Sequence, residues 1–97
     1  MYAAALRVEL RVRDARSLKD KRRTLKPLMA DLKRTFEASV AEVDHQDLWN
    51  RATLGIAVVS PQEGLLSRFV FRVERWLESR PDVEVLGTAV SHLEKPA

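Results

Sequence analysis

The 97-residue chain contains no cysteine, which excludes a disulfide framework, a thiolate nucleophile, an iron-sulfur cluster and any cysteine-ligated zinc. Its three glycines stand at 55, 64 and 87, spaced wrongly for a phosphate-cradling G-x-x-x-x-G-K loop. No apolar run approaches the 18 residues a membrane helix needs. The opening stretch MYAAALRVELRV is interrupted by Arg7, Glu9 and Arg11 and has no small-residue cleavage site. It therefore reads as neither signal peptide nor anchor, and the expected location is the cytoplasm. A chain of this length buries only about 60 to 65% of its unfolded surface. Nearly every apolar stripe must then serve one core, and a single domain over residues 1–97 without a deep enclosed pocket is expected.

Charge is what the chain has in quantity. Its 17 Lys and Arg against 14 Asp and Glu give a formal +3, but the balance is uneven. Residues 1–36 hold 11 basic and 4 acidic side chains, and residues 37–97 hold 6 and 10. One side of the fold is expected to be basic. Arginine outnumbers lysine 12 to 5, and the planar guanidinium suits bidentate phosphate contacts. A GC-rich genome or a thermophilic source accounts for the same bias without any ligand.

From Tyr2 to Val12 apolar residues alternate with Arg7, Glu9 and Arg11, the period of a half-buried strand. Ser17 is a predicted N-cap with Asp20 three residues on. Leu18, Leu25, Leu28, Met29, Leu32 and Phe36 then recur at helical spacing, with Pro27 roughly opposite that stripe on the solvent side. Ser39–Val43 and Thr53–Val59 read as a hairpin around a polar turn. In Ser60-Pro61-Gln62-Glu63 the pattern predicts an N-cap, a proline at the first helical position and a capping-box glutamate. The second helix carries Leu65, Leu66, Phe69, Val70, Val73, Trp76 and Leu77 and stops near Arg80-Pro81. A last strand begins at Val83, its alternation slipping near Gly87 as at a bulge. The order β-α-β-β-α-β with two right-handed crossovers implies an α+β, ferredoxin-like sandwich: a four-stranded antiparallel sheet with two helices on one face and the other face open.

Two groups of side chains stand out on this frame. Lys19, Arg22, Arg23, Lys26, Lys33 and Arg34 fan beside the apolar stripe of the first helix and form a basic ridge that can track a phosphate backbone. Lys21 falls just inside the apolar arc, so it is either a stem at the core edge or a placed cation. Arg7, Arg11 and Arg13 share the outward face of the first strand with Glu9, where cross-strand pairing can neutralise part of their charge. The outward positions Thr53, Gly55, Ala57, Ala3 and Ala5 offer no aromatics on which bases stack, so RNA contact on the sheet runs through Arg and Lys to phosphate and shape. The same small residues make a flat strip suited to self-association. Phe71, which points away from the second helix's apolar centre, adds to that suspicion. The second group is the turn bearing Glu42, Asp44, His45, Asp47, Trp49 and Arg51. Only His45 and the distant His92 can supply ring nitrogen, so no metal is expected. Nothing beside them resembles a nucleophile or an oxyanion hole, and turn chemistry is the expected role, with a carboxylate pairing to Arg51.

Ser17-Leu18-Lys19-Asp20-Lys21-Arg22 and the segment from Val40 through Glu42, Asp44, Asp47, Trp49 and Arg51 to Ala52 resemble the two signature segments of the YlxP-like bacterial family, along essentially the whole chain. Asn50 stands where that family more often has glutamine, and Pro27 where it keeps an ordinary helix former. The family's domain has no assigned function. The resemblance implies the ferredoxin-like fold and, from the genes that commonly neighbour its members, a setting among transcription and translation factors and a ribosome-binding factor. The expectation is a non-enzymatic binding protein without cofactor or membrane partner. It would contact structured RNA, ribosomal RNA or a ribosomal particle through Arg7, Arg11, Arg13, Lys19, Lys21, Arg22, Arg23 and Lys26. The competing expectation is a self-associating, dimeric interaction or ligand-sensing domain that uses the open sheet face and the Glu42–Arg51 turn.

Overall fold

A computed structural model describes the backbone of residues 1–94 and the side chains through Ser91. The first strand, β1, spans Tyr2–Val12. Its alternation decides its two faces: Ala4, Leu6, Val8, Leu10 and Val12 are buried, and Ala5, Arg7 and Arg11 are exposed.

Helix α1 spans Leu18–Phe36. Ser17 is extended, and its Oγ accepts the Asp20 backbone N–H at 3.0 Å, which satisfies one of the first-turn donors that a helix leaves unpaired. The Asp20 carboxylate in turn accepts the Arg16 N–H at 3.1 Å. Pro27 is exposed within one continuous helix. The buried side of α1 is Lys21, Leu25, Leu28 and Leu32, with Met29 and Phe36 packed at its margin. The predicted stripe is thus corrected at its start: Leu18 is exposed and Lys21 holds the buried place in the first turn.

Strands β2, Ser39–Asp44, and β3, Arg51–Ser60, form the expected hairpin. Helix α2 runs Glu63–Glu78 with Gln62 at its cap, so the predicted capping at Ser60 is corrected by two residues. The reason is that β3 extends to Ser60, which pairs with Tyr2. The Ser60 hydroxyl closes a tight turn instead, accepting from the Gln62 N–H at 3.1 Å and donating to the Gln62 carbonyl at 2.9 Å. The last strand, β4, spans Val83–Glu94.

The sheet is antiparallel in the order β2-β3-β1-β4, the ferredoxin-like α+β arrangement. Leu6, Val8 and Leu10 of β1 and Leu54 and Ile56 of β3 form one core with Leu28 and Leu32 of α1 and Val73 and Leu77 of α2. Both helices therefore cover the same sheet face. Each such leucine contributes about 1.5 to 3 kcal/mol by leaving water. The irregularity expected near Gly87 is present. Glu9 faces Gly87 but Leu10 faces Val85, leaving Leu86 unpaired. A second irregularity skips Val43 in β2. No helix among the described residues is long and apolar enough to cross a membrane.

Candidate functional site

The helical period of α1 that buries Leu25, Leu28 and Leu32 turns Lys19, Arg22, Arg23, Lys26, Lys33 and Arg34 outward, and all six are exposed. Two are tied within the helix, Arg23 to Asp20 at 3.7 Å and Arg34 to Asp31 at 2.6 Å. Among the described residues no carboxylate lies within 4.0 Å of Lys19, Arg22, Lys26 or Lys33. Lys19, Arg22, Arg23 and Lys26 line a shallow groove of about 540 Å³ with Pro27 and Ala30 as its apolar floor.

Lys21 is part of no such surface. It is 2% exposed, and its ammonium donates to Glu42 Oε2 at 2.9 Å and to the carbonyls of His45 at 3.0 Å and Arg51 at 3.1 Å, with Gln46 O at 3.5 Å. An ammonium has three donors, and all three are committed. A phosphate has no approach to it, so its place among the predicted RNA contacts is corrected. Of the two roles open to it, Lys21 is a placed cation, one that fastens the first turn of α1 to both ends of the β2–β3 turn.

The opposite face of the sheet holds a polar cluster with Glu9 at its centre. Glu9 Oε1 accepts the Thr53 hydroxyl at 3.2 Å. Arg7 lies 3.5 Å from the same carboxylate and Arg51 3.5 Å from its other oxygen. Arg7 also donates to Asp44 at 3.2 Å. Cross-strand register explains the convergence, because Glu9 is paired with Thr53, and Asp44 of β2 is paired with Thr53 from the other side. His45 Nδ1 lies 2.8 Å from Thr53 Oγ1. With the Thr53 proton directed to Glu9, the tautomer that completes the chain of hydrogen bonds carries hydrogen on His45 Nδ1. Thr53 is wholly buried, which makes its hydroxyl a relay between His45 and Glu9, not an accessible nucleophile. His45 itself is left-handed at φ 60, and its backbone N–H donates to Asp44 Oδ1 at 2.8 Å. That bond, followed by the Arg7 guanidinium, holds the Asp44 carboxyl below its ordinary value.

The turn residues are therefore divided. Glu42 faces Lys21, Asp44 faces Arg7, His45 faces Thr53 and Arg51 pairs across the sheet with Glu9. Asp47 and Trp49 stay exposed, with the Leu48 N–H donating to His45 O at 3.1 Å to close the turn. The pattern that reveals Glu9 as the hub is strand register, which no local spacing displays. Among the described residues no group of three His, Asp or Glu converges as a metal set; the side chain of His92 lies outside the described residues.

The arginines of β1 and the ridge of α1 do not form one surface. Arg7 and Arg11 project from the open sheet face, and α1 covers the other. Arg7 is held by Glu9 and Asp44, Arg11 lies 3.9 Å from Glu84, and Arg13, beyond the end of β1, donates to the Pro81 carbonyl at 3.1 Å. The other end of the sheet carries small and apolar residues, with the exposed Glu37 at its border. Ala3, Ala5, Ala57, Val59 and Ser91 border a groove of about 660 Å³ there, and Val59 is 67% exposed.

This is a small ferredoxin-like domain whose charged surfaces are a solvated helix face on one side and an internally paired sheet face on the other. A family model described as "Protein of unknown function (DUF503)" matches residues 3–90, and the chain belongs to that family. It is similar to "Uncharacterized protein YlxP" of Bacillus subtilis, 37% identical over 71 residues that cover 73% of this chain and 77% of that protein.

Proposed function

We propose that this chain is a non-enzymatic cytoplasmic binding protein that docks on structured RNA, either ribosomal RNA or a ribosomal particle, through the outer face of α1. The observation that carries the reading is the row Lys19, Arg22, Lys26 and Lys33, exposed and without a carboxylate neighbour among the described residues. Cations held away from carboxylates have their counterions to release, and that release drives sequence-independent binding to a phosphate backbone. The YlxP-like resemblance adds a setting among translation factors. The test is binding to ribosomal subunits and to a structured ribosomal RNA fragment, titrated from low to physiological salt. Saturable binding at physiological salt that the pair Arg22→Glu and Lys26→Glu abolishes supports the reading; an affinity indifferent to those changes overturns the site.

Self-association through the open face is the second reading, favoured by the exposed strip of Ala5, Ala57 and Val59. Ala57→Lys probes it cleanly. Gly55 is a poor probe, since a β-carbon there would lie 3.0 Å from Val43 Cγ1. A wild-type dimer that Ala57→Lys converts to monomer in sedimentation supports this reading, and a wild-type monomer at high micromolar concentration removes it.

A further inference from the structure

The sheet offers no stacking platform, but α2 does. Phe71 is 59% exposed on the stripe that also presents Arg68, Arg72 and Arg75 at helical spacing. Arg75 lies over the Phe71 ring at 5.7 Å, and Arg72 lies over the ring of Phe36 of α1 at 5.5 Å, within the reach of a cation–π contact. Between the helices Phe71, Arg72, Arg75, Phe36 and Trp76 border an open groove of about 520 Å³. Among the described residues no carboxylate lies within 4.0 Å of Arg68, Arg72 or Arg75. An aromatic ring left in water inside a row of unneutralised guanidinium groups is complementary to a ligand that is flat and apolar at intervals and anionic between them.

We infer that this groove binds an unpaired stretch of RNA, with a base stacked on Phe71 and neighbouring phosphates held by Arg72 and Arg75 and, beyond the groove along the same helix stripe, by Arg68. The inference rests on the reading of the chain as an RNA-binding protein but uses a different surface from the α1 ridge. Stacking explains the aromatic, which phosphate contact alone does not need. The i, i+4, i+7 spacing of the three arginines sets them about 4.5 to 6 Å apart along the helix axis, in a row beside Phe71 from which their long side chains can reach more than one phosphate. An acidic peptide would satisfy the charges but has no need of the ring's face.

The test uses the full chain carrying Trp49→Phe, so that Trp76 beside the groove reports alone. A twelve-nucleotide oligoadenylate should quench Trp76 saturably at low salt. Phe71→Ala should weaken its binding about ten-fold or more, as removal of a stacking ring does, while Phe71→Tyr retains it. Arg72→Ala should lower the salt slope by about 0.7 for each phosphate it leaves unneutralised. A perfect RNA hairpin stem should be indifferent to Phe71→Ala and sensitive to Arg22→Glu with Lys26→Glu. Equal oligoadenylate affinity in wild type and Phe71→Ala overturns the groove while leaving the α1 reading standing. Polyglutamate competing as well as oligoadenylate overturns it also, since charge alone would then suffice. A hairpin indifferent to the α1 changes overturns the ridge while the groove stands or falls by Phe71.

Discussion

The outer face of α1 and the charged half of the open sheet are built from the same residue types, yet they behave as opposites. On α1 the cations stand in water and pair, where they pair at all, with a carboxylate three residues away. On the sheet Arg7 of β1 and Arg51 of β3 converge on Glu9, and His45 of the β2–β3 turn reaches it through Thr53. Charge that is already satisfied is fixed in place and unavailable; charge that is not is mobile and open to an external anion. Lys21 is the extreme of the first kind, only two residues from Lys19, which belongs to the second. Within a single helical turn one cation is committed to the fold and another stands in water.

Substitutions should separate the two regions by the size of their effect on folding. Lys21→Met, which keeps the apolar stem, should be the most damaging, costing about 3 kcal/mol or more in urea denaturation because Glu42 and the turn carbonyls lose their shared partner. Glu9→Gln should cost less, about 1 to 2 kcal/mol, because the cluster is partly solvated and the amide can still accept from Thr53. Its distinguishing mark would be a changed environment for His45 in NMR, as the Thr53 hydroxyl beside its Nδ1 loses an anionic acceptor and Arg7 and Arg51 lose their shared carboxylate. Arg22→Glu with Lys26→Glu should leave stability within about 0.5 kcal/mol while lowering the salt slope of RNA binding by about one unit for each phosphate no longer neutralised. If the ridge changes unfold the chain, or Lys21→Met does not, the contrast fails.

The smallest effect should come from Asp44, whose carboxyl is held low first by the His45 N–H and then by Arg7. A depressed carboxyl stabilises the fold above its unfolded value, and that contribution disappears as the pH falls through the lowered one. A carboxyl-resolved NMR titration should therefore find Asp44 deprotonating below an ordinary aspartate, and Arg7→Ala should move it only part of the way back, since the backbone N–H remains.

What could be read from the chain alone follows from the range of the signal. Ser17 and Asp20 form a local motif, and the cap stands where the spacing places it. Ser60 carries the same local motif, but its pairing with Tyr2 draws it into β3, so a contact 58 residues away decides the outcome. Lys21 shows an intermediate case. Its angle on the helix marks it as anomalous, but only the assembled β2–β3 turn reveals three carbonyls waiting beside Glu42. Glu9 shows nothing unusual in the linear chain, where it is one acid among arginines on an exposed face. Its role appears once β2, β3 and β1 are in register. The basic ridge needed only the helical period and was fully visible.

The Lys21 hydrogen bonds also bear on the order in which the molecule assembles. Its partners lie 21, 24, 25 and 30 residues along the chain, all in or beside a turn that exists only once the hairpin has closed. A desolvated ammonium with no acceptors is costly, so α1 cannot seat its first turn on the sheet before that closure. The helix can form early from its C-terminal leucines, but its N-terminal end must wait. Contacts that need the closed hairpin are expected to form late, so Lys21→Met should quicken unfolding far more than it slows folding in stopped-flow kinetics.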